Sequence, residues 1–455
     1  MNHSPASRDT WQRRNKGSTV TSEVGRSAMR KALWRILPLI ALAYLCAYTD
    51  RVNVSFAAAH MNADLGFSAT IYGLGGGLFF LGYALFEVPS NILCVRYGPR
   101  MWLARIMVTW GLLSAAMMFV ATPLEFYTLR FLLGVAEAGF YPGVIYYLSH
   151  WFPPCHRGRA VSRFYVAGPL TSVVLGAVSG FLLDLDGNAG LRGWQWLFVA
   201  QGLPSVLIGL VLLRYLPDSP GKVGWLTSAE KSWIAGELER EQARIGAPVH
   251  HGVLMALRNP RVLQLGLFGM LLIGAVTTLI LSAPLVLAAA TGFPPKAVGA
   301  IVSLGGVLGA IVIIAAGNYA DPRGARFPHA FNYSLVLTIA FLTLALSRSP
   351  IVTIGAYLLF ATACFTIPML TSSGWTDVLS ARELAVGAAG MNTLSQIGAF
   401  VTPFAWGALR DATGDYQAGL WLLFVMAVSL SALLYWFCGQ LRQAKLLVPS
   451  VAAGA

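Results

Sequence analysis

The sequence predicts an all-α membrane protein in which twelve transmembrane helices form two six-helix bundles. Three observations carry that prediction. Of the 455 residues, 56% are hydrophobic and 11% charged, with a mean hydropathy of +0.64, whereas a soluble domain keeps about a quarter of its residues charged. The apolar residues gather in blocks near or above the roughly 20 residues that cross about 30 Å of hydrocarbon as a helix. The connections between blocks alternate between rich and poor in Lys and Arg, which is the pattern of orientation in a bilayer.

Residues 1–33 are polar and basic, holding Arg8, Arg13, Arg14, Lys16, Arg26 and Arg30. An export signal is not expected there, because the apolar block that follows is too long and shows no small-x-small cleavage site. Leu45 before Cys46 likewise spoils a lipoprotein site. The segment reads as a disordered cytosolic tail. Six blocks follow at about 34–56, 70–94, 101–121, 125–148, 161–183 and 194–215, an N-terminal bundle over 34–216. Residues 217–259 are the one long polar connection, an amphipathic cytosolic linker with Glu230, Lys231, Glu237, Glu239, Arg240 and Glu241. Six more blocks at about 262–289, 296–317, 329–347, 350–374, 384–408 and 418–439 make a C-terminal bundle over 260–440, with a cytosolic tail at 441–455. Helices are favoured over strands throughout, since a spanning strand needs only about ten residues of alternating polarity.

With the N-terminus inside, 26 of the 32 Lys and Arg fall on the cytosolic side, and Arg192, Lys296, Arg348 and Arg410 fall outside. That asymmetry predicts both termini in the cytoplasm. It also argues against nucleic acid as the reason for the net charge of +13, because the cations follow the loops rather than one binding face. The five cysteines make no CxxC pair and the seven histidines no metal-binding spacing, so no metal or cofactor is expected.

The remaining two cations, Arg51 and Arg130, lie inside helices, and intramembrane charge is costly and usually functional. Asp50 and Arg51 stand roughly 24 Å along helix 1, and Arg130 stands near the same height in helix 4, which runs the other way. Two guanidiniums at one level suit a carboxylate passenger, because their planar forks donate to both of its oxygens. The bland alternative is an internal ion pair of Asp50 with Arg51 or Arg130. Glu137, nearly two turns from Arg130 on the same side, is a proton-carrier candidate, since an apolar helix penalises its charge unless it is paired. Glu87, beside Pro89 in helix 2, reads as a gate or helix-pairing residue acting through Arg105 or Arg163. In the second half no full charge stands deep in a span. Binding there falls to neutral groups: Asn392 and Gln396, at i and i+4 on helix 11, and Thr278 in helix 7, with Tyr48 and Asn53 contributing from helix 1.

Two loop sequences repeat between the halves. After helix 2 stands Asn91-Ile-Leu-Cys-Val-Arg96-Tyr-Gly98-Pro-Arg100, and after helix 8 stands Gly317-Asn-Tyr-Ala-Asp321-Pro-Arg-Gly324-Ala-Arg326. Both carry Gly-x-Arg at the same offset, a tight turn followed by a cation able to meet a helix end or a carboxylate; Arg100, Asp321 and Arg326 are gating candidates on this ground. The second copy resembles the loop motif of the major facilitator superfamily, with Pro322 in place of a basic residue; the first departs further, with Asn91 and Val95 for the glycine and aspartate. The resemblance implies the major facilitator fold, two six-helix bundles joined by a cytosolic linker.

More specifically, Tyr48-Thr-Asp50-Arg51-Val-Asn53, Gly82-Tyr-Ala-Leu-Phe86-Glu87-Val-Pro89-Ser90-Asn91, Arg130-Phe-Leu-Leu-Gly134-Val-Ala-Glu137-Ala-Gly139-Phe-Tyr-Pro142-Gly143 and Trp151-Phe-Pro with Arg157-Gly-Arg159-Ala resemble the anion:cation symporter family, nearest its bacterial tartrate transporters. That likeness implies a proton-coupled importer of a small organic carboxylate in a bacterial inner membrane, and nothing in the sequence requires more than a monomer. Tartrate or a related hydroxy-dicarboxylate is the first expectation, and a sugar acid or aromatic acid the alternative. It also implies Arg51 as the anion clamp, Glu137 and Asp50 as proton-coupled carboxylates, Asp50 releasing its arginine when protonated, and Asn392 as a substrate hydrogen-bond donor. The resemblance implies a carrier, not an enzyme.

Overall fold

The computed structural model describes residues 5–153, 156–157, 160, 167–245, 258–320, 326–379 and 381–447. In chain order the helices are α1 (Pro5–Leu65), α2 (Ala69–Tyr97), α3 (Pro99–Ala116), α4 (Pro123–Glu137), α5 (Phe140–Ser149), α6 (Ala167–Leu183), α7 (Gly193–Tyr215), α8 (Ser228–Ile245), α9 (Pro260–Thr291), α10 (Pro295–Ala320), α11 (Arg326–Leu346), α12 (Pro350–Cys364), α13 (Thr366–Val378), α14 (Ala381–Thr413) and α15 (Gln417–Leu447). Local chemistry starts them. Ser68 and Thr122 accept backbone N–H bonds at the heads of α2 and α4, the latter in a reciprocal box with Glu125, and proline opens α3, α4, α9 and α12, where its missing N–H costs nothing. Gly98, at φ 85°, makes the turn between α2 and α3, a conformation that favours glycine.

Among the described residues, ten helical stretches are long and apolar enough to cross a membrane. The twelve expected include two outside that ten: α6 spans 17 apolar residues, and α14 spans 33 residues. The bundle surface is apolar, with Leu207 62%, Ile311 59% and Val425 57% exposed, as lipid contact requires. Successive crossing helices alternate in direction. One face therefore carries α8 and the ends of α1 and α15, and is called the linker face below; the other is the far face.

Three elements differ from the sequence expectation. The tail at 1–33 is helical from Pro5 and runs unbroken into the first crossing. It is held at its inner end, where Ala28, Met29 and Ala32 are buried and Ser27 and Lys31 bond Glu230 of α8. The fourth block is broken into α4 and α5, and the tenth into α12 and α13. The first break is built around Gly139, at φ 84°. Ser90 donates to the freed carbonyl of Ala138 at 2.5 Å and accepts from Trp102 Nε1 at 3.0 Å. A Cβ on Gly139 would sit 2.4 Å from that Ser90 oxygen.

Two seams join the halves, α2 against α14 and α6 against α10. Backbones meet directly there: a Cβ on Gly73 would lie 2.2 Å from the Pro403 carbonyl, and one on Gly176 would lie 2.2 Å from that of Gly299. At the far face Asp411 of α14 accepts the backbone N–H groups of Ala69 and Thr70 at the head of α2, at 3.0 and 2.8 Å. Lys296 pairs with Asp184 across the other seam, and Tyr72 donates to the Leu281 carbonyl of α9 at 2.8 Å. The halves are thus closed on the far face.

Candidate functional site

Arg51 of α1 and Glu137, the last residue of α4, form an ion pair inside the N-terminal half. Arg51 Nε donates to Glu137 Oε1 at 2.5 Å, and a second guanidinium nitrogen contacts the same oxygen. The Glu137 side chain is 1% exposed and that of Arg51 23%. The arginine is therefore the more accessible member of the pair. Rings surround it: Tyr83, Phe79 and Tyr48 have centroids 5.1, 5.7 and 5.8 Å from its central carbon, each such contact adding about 0.5–2 kcal/mol. Tyr44 and Tyr48, one turn apart on α1, continue the aromatic wall to Tyr141 and Phe365. The break after Glu137 fixes where this carboxylate points, since the helix stops at the residue that bears it.

Arg130 lies behind Phe79, whose ring centroid is 5.0 Å from its guanidinium carbon. Phe79 thus stands against both arginines. Arg130 is 1% exposed, reaches the Gly75 carbonyl only at 3.4 Å, and finds no hydrogen-bond partner for either terminal nitrogen among the described residues. A buried cation with unmet donors costs several kcal/mol, so it is not there for packing alone.

Asp50 turns to the other side of α1. It accepts hydrogen bonds from Trp110 Nε1 at 2.8 Å, Ser114 Oγ at 2.6 Å, Ser205 Oγ at 2.8 Å and Asn53 Nδ2 at 3.2 Å. These tie α1 to α3 and α7. The carboxylate that holds an arginine is therefore Glu137 with Arg51; the alternative of an ion pair of Asp50 with Arg51 or Arg130, and the expected release of an arginine by Asp50, do not fit this geometry. The reason is helical pitch, which sets adjacent residues about 100° apart. Asn53 is buried with Asp50, its own Oδ1 unpartnered. Thr278 is fully buried and donates to the Gly274 carbonyl of its own helix at 2.7 Å, which leaves no free hydroxyl donor.

Glu87 does not bond Arg105. Its Oε2 accepts from Asn392 Nδ2 at 2.5 Å, across the α2–α14 seam. Arg105 instead lies over the Trp102 ring at 4.0 Å, its Nε unpartnered. Gln396, one turn from Asn392, has a buried and unpartnered Oε1. Arg100 donates to the Leu213 carbonyl at the end of α7 at 2.8 Å and approaches Asp218 at 3.4 Å, within one half, as a cation near a helix C-terminus does. Arg326 donates to the Ser373 carbonyl at 3.1 Å. Arg163 and Asp321 lie outside the described residues. A separate cavity of about 20 Å³, room for one water, lies between the halves among Val52, Ser55, Phe56, Pro284, Tyr357 and Phe365; no charged side chain lines it.

Sequence reasoning missed Trp110, Ser114 and Ser205 as the cradle of Asp50, and Phe79 and Tyr83 as the walls around Arg51. Two signals were available, the i, i+4 spacing of Trp110 with Ser114 and of Phe79 with Tyr83, each placing two side chains on one face.

The sequence profile of the Major Facilitator Superfamily matches residues 40–403. The chain is 38% identical over 424 residues to a quinolone resistance transporter of Acinetobacter baumannii, covering 92% of this chain and 97% of that one. It is also 38% identical over 415 residues to a protein of Agrobacterium vitis named provisionally as a tartrate transporter, covering 90% and 95%. Its fold resembles the inward open conformation of the xylose transporter XylE from E. coli, with a TM-score of 0.70 at 16% identity over 89% of this chain and 96% of that one.

Proposed function

The chain belongs to the Major Facilitator Superfamily and is a multi-pass membrane transport protein rather than an enzyme; from that premise we propose that it is a proton-coupled symporter importing a small organic carboxylate, within the anion:cation symporter family. The observation that carries this reading is the Arg51–Glu137 pair, a reachable guanidinium tied to an unreachable carboxylate. Leaving either charge buried and alone costs about 3–5 kcal/mol. Arg51 therefore parts from Glu137 only when a substrate carboxylate takes its place and a proton neutralises Glu137. The exchange of partners links the anion to the proton. It also meets the electrical problem, since an anion entering alone works against about 2.3 kcal/mol per charge per 100 mV.

Arg130 reinforces the positive field behind Phe79. Asp50 takes part from the other side of α1, where its protonation loosens the clasp of Trp110, Ser114 and Ser205 rather than freeing an arginine. We read the arrangement as twelve crossings in two six-helix bundles, monomeric, in a bacterial inner membrane; the charge asymmetry supports placing both chain ends in the cytosol.

Among the described residues Arg51 is the one partly exposed guanidinium paired with a buried carboxylate inside the bundle, which favours a single-carboxylate passenger such as a sugar acid over tartrate. Tartrate is the second reading, supported by the name of the Agrobacterium vitis relative. Proteoliposomes with an imposed pH gradient test both, using gluconate, galactonate, hydroxyphenylacetate and tartrate. Accumulation of a hydroxy-monocarboxylate ahead of tartrate is the expected outcome. Gradient-driven uptake of no carboxylate in the panel refutes the function.

A further inference from the structure

The site has a second end. Arg51 stands at the level of Phe79 and Tyr83 on α2, and Glu87 lies one turn beyond Tyr83 on the same helix face, about 6 Å towards the linker face. Beyond its bond from Asn392, the Glu87 carboxylate has no partner among the described residues. The two seam helices run antiparallel in step: Gly73 faces Pro403, Gly77 faces Phe400, and Glu87 faces Asn392. Gln396 therefore comes level with about residues 80–83, the height of the guanidinium itself and about one turn short of Glu87. Its Oε1 is buried without a donor. At the height of the cationic fork the seam thus carries an unmet acceptor, and one turn beyond both stands a carboxylate held in place by an amide.

We propose that Glu87 and Gln396 are specificity residues of this site, reading hydroxyl groups on the distal part of the substrate and rejecting a second carboxylate there. The proposal rests on the carboxylate-carrier reading above. A buried acceptor with no donor costs about 1–3 kcal/mol, and a polyhydroxylated chain whose carboxylate is on Arg51 brings O–H donors to Gln396 Oε1 and to Glu87. Asn392 keeps Glu87 aimed along the seam instead of folding back on Arg51. A second carboxylate reverses both gains, setting like charges together and facing Gln396 Oε1 with another acceptor. The class selected is the hydroxy-monocarboxylate with a polyol chain, not the short dicarboxylate.

Gluconate and glucarate separate the two ends cleanly, since they differ only in a terminal CH₂OH or carboxylate. Competition for uptake in proteoliposomes, with thermal shift on the full-length protein, should show the wild type preferring gluconate by at least about tenfold, the size of one lost polar contact. Glu87→Gln, which keeps the shape and removes the charge, should narrow that ratio by about tenfold while gluconate is still carried. Gln396→Leu should weaken gluconate by about tenfold, and it decides the matter if Glu87→Gln does not fold. A wild type favouring glucarate, or a ratio unmoved in the variants, overturns the specificity roles and leaves the carrier reading intact. Failure to bind either acid overturns the specificity roles, and the carrier reading falls with them only if tartrate and hydroxyphenylacetate are not taken up either.

Discussion

At the scale of single residues, the proposed mechanism rests on one guanidinium. Arg51 is held by Glu137 on one side and by three rings on the others, so its planar shape matters as much as its charge. Arg51→Lys keeps the charge but loses the fork and the ring contacts; uptake should fall by at least about 100-fold, the cost of roughly two charge-assisted bonds. Unchanged apparent affinity in a transport assay contradicts the clamp. Glu137→Gln should abolish pH-driven accumulation while sparing exchange of substrate across the membrane, and full accumulation by that variant removes Glu137 as the proton carrier. These two residues were legible in the sequence, because charge inside an apolar block is conspicuous. Their pairing was not: Arg51 and Glu137 are 86 residues apart, and either could have met Asp50 or Arg130. The same limit hid the cradle of Asp50, whose hydroxyl and indole donors look in sequence like ordinary core residues.

At the scale of elements, breaks and docked helices decide where those charges go. The stop after Glu137, bridged by Ser90 and Trp102, turns one predicted span into two helices and aims the carboxylate at α1. On the linker face, α8 docks on the first helix through Glu230. Burial opposes the charge of that carboxyl, but bonds from Lys31, the Thr227 amide and Ser27 outweigh it and hold it at about 2, below its ordinary 4.5. A depressed carboxyl stabilises the fold fully above its unfolded value and loses that contribution as pH falls through the folded one. The α8 contact should therefore be intact at neutral pH and weaken between about pH 4.5 and 2. Glu230→Gln should produce the same release at pH 7, seen as at least a severalfold rise in hydrogen exchange over residues 228–245, since a charged bond of about 1.5–3 kcal/mol is lost. Protection unaltered in the variant rejects Glu230 as the fastening. The amphipathic linker was readable from its composition, whereas its docking depended on a tail helix that polar composition made look disordered.

At the scale of the whole molecule, the far face is closed by the α2 and α14 backbones and by Asp411. Burial opposes the Asp411 charge, but the Thr70 hydroxyl and amide, Ser68 and the Ala69 amide hold the carboxyl below its usual range. It also faces the positive end of α2. The closure it supports is thus complete above the ordinary aspartate range and lost as pH falls through the lowered value. Asp411→Asn should weaken it by about 0.5–1 kcal/mol, giving a severalfold faster hydrogen exchange of the Ala69 and Thr70 amides. Exchange equal to wild type shows that the packed glycine seam closes this face without the aspartate.

What the sequence by itself determined is the membrane-spanning helical character, the division by one polar linker, and the identity of the rare intramembrane charges. Each of these is set by local composition: the length of an apolar run, the side on which cations accumulate, the cost of a charge in hydrocarbon. Only the tertiary structure decided that Arg51 belongs to Glu137, that Asp50 faces α3 and α7, and that Glu87 reaches Asn392 instead of Arg105. Those choices depend on helix rotation and on which backbones approach closely, and both come from packing between segments far apart in the chain.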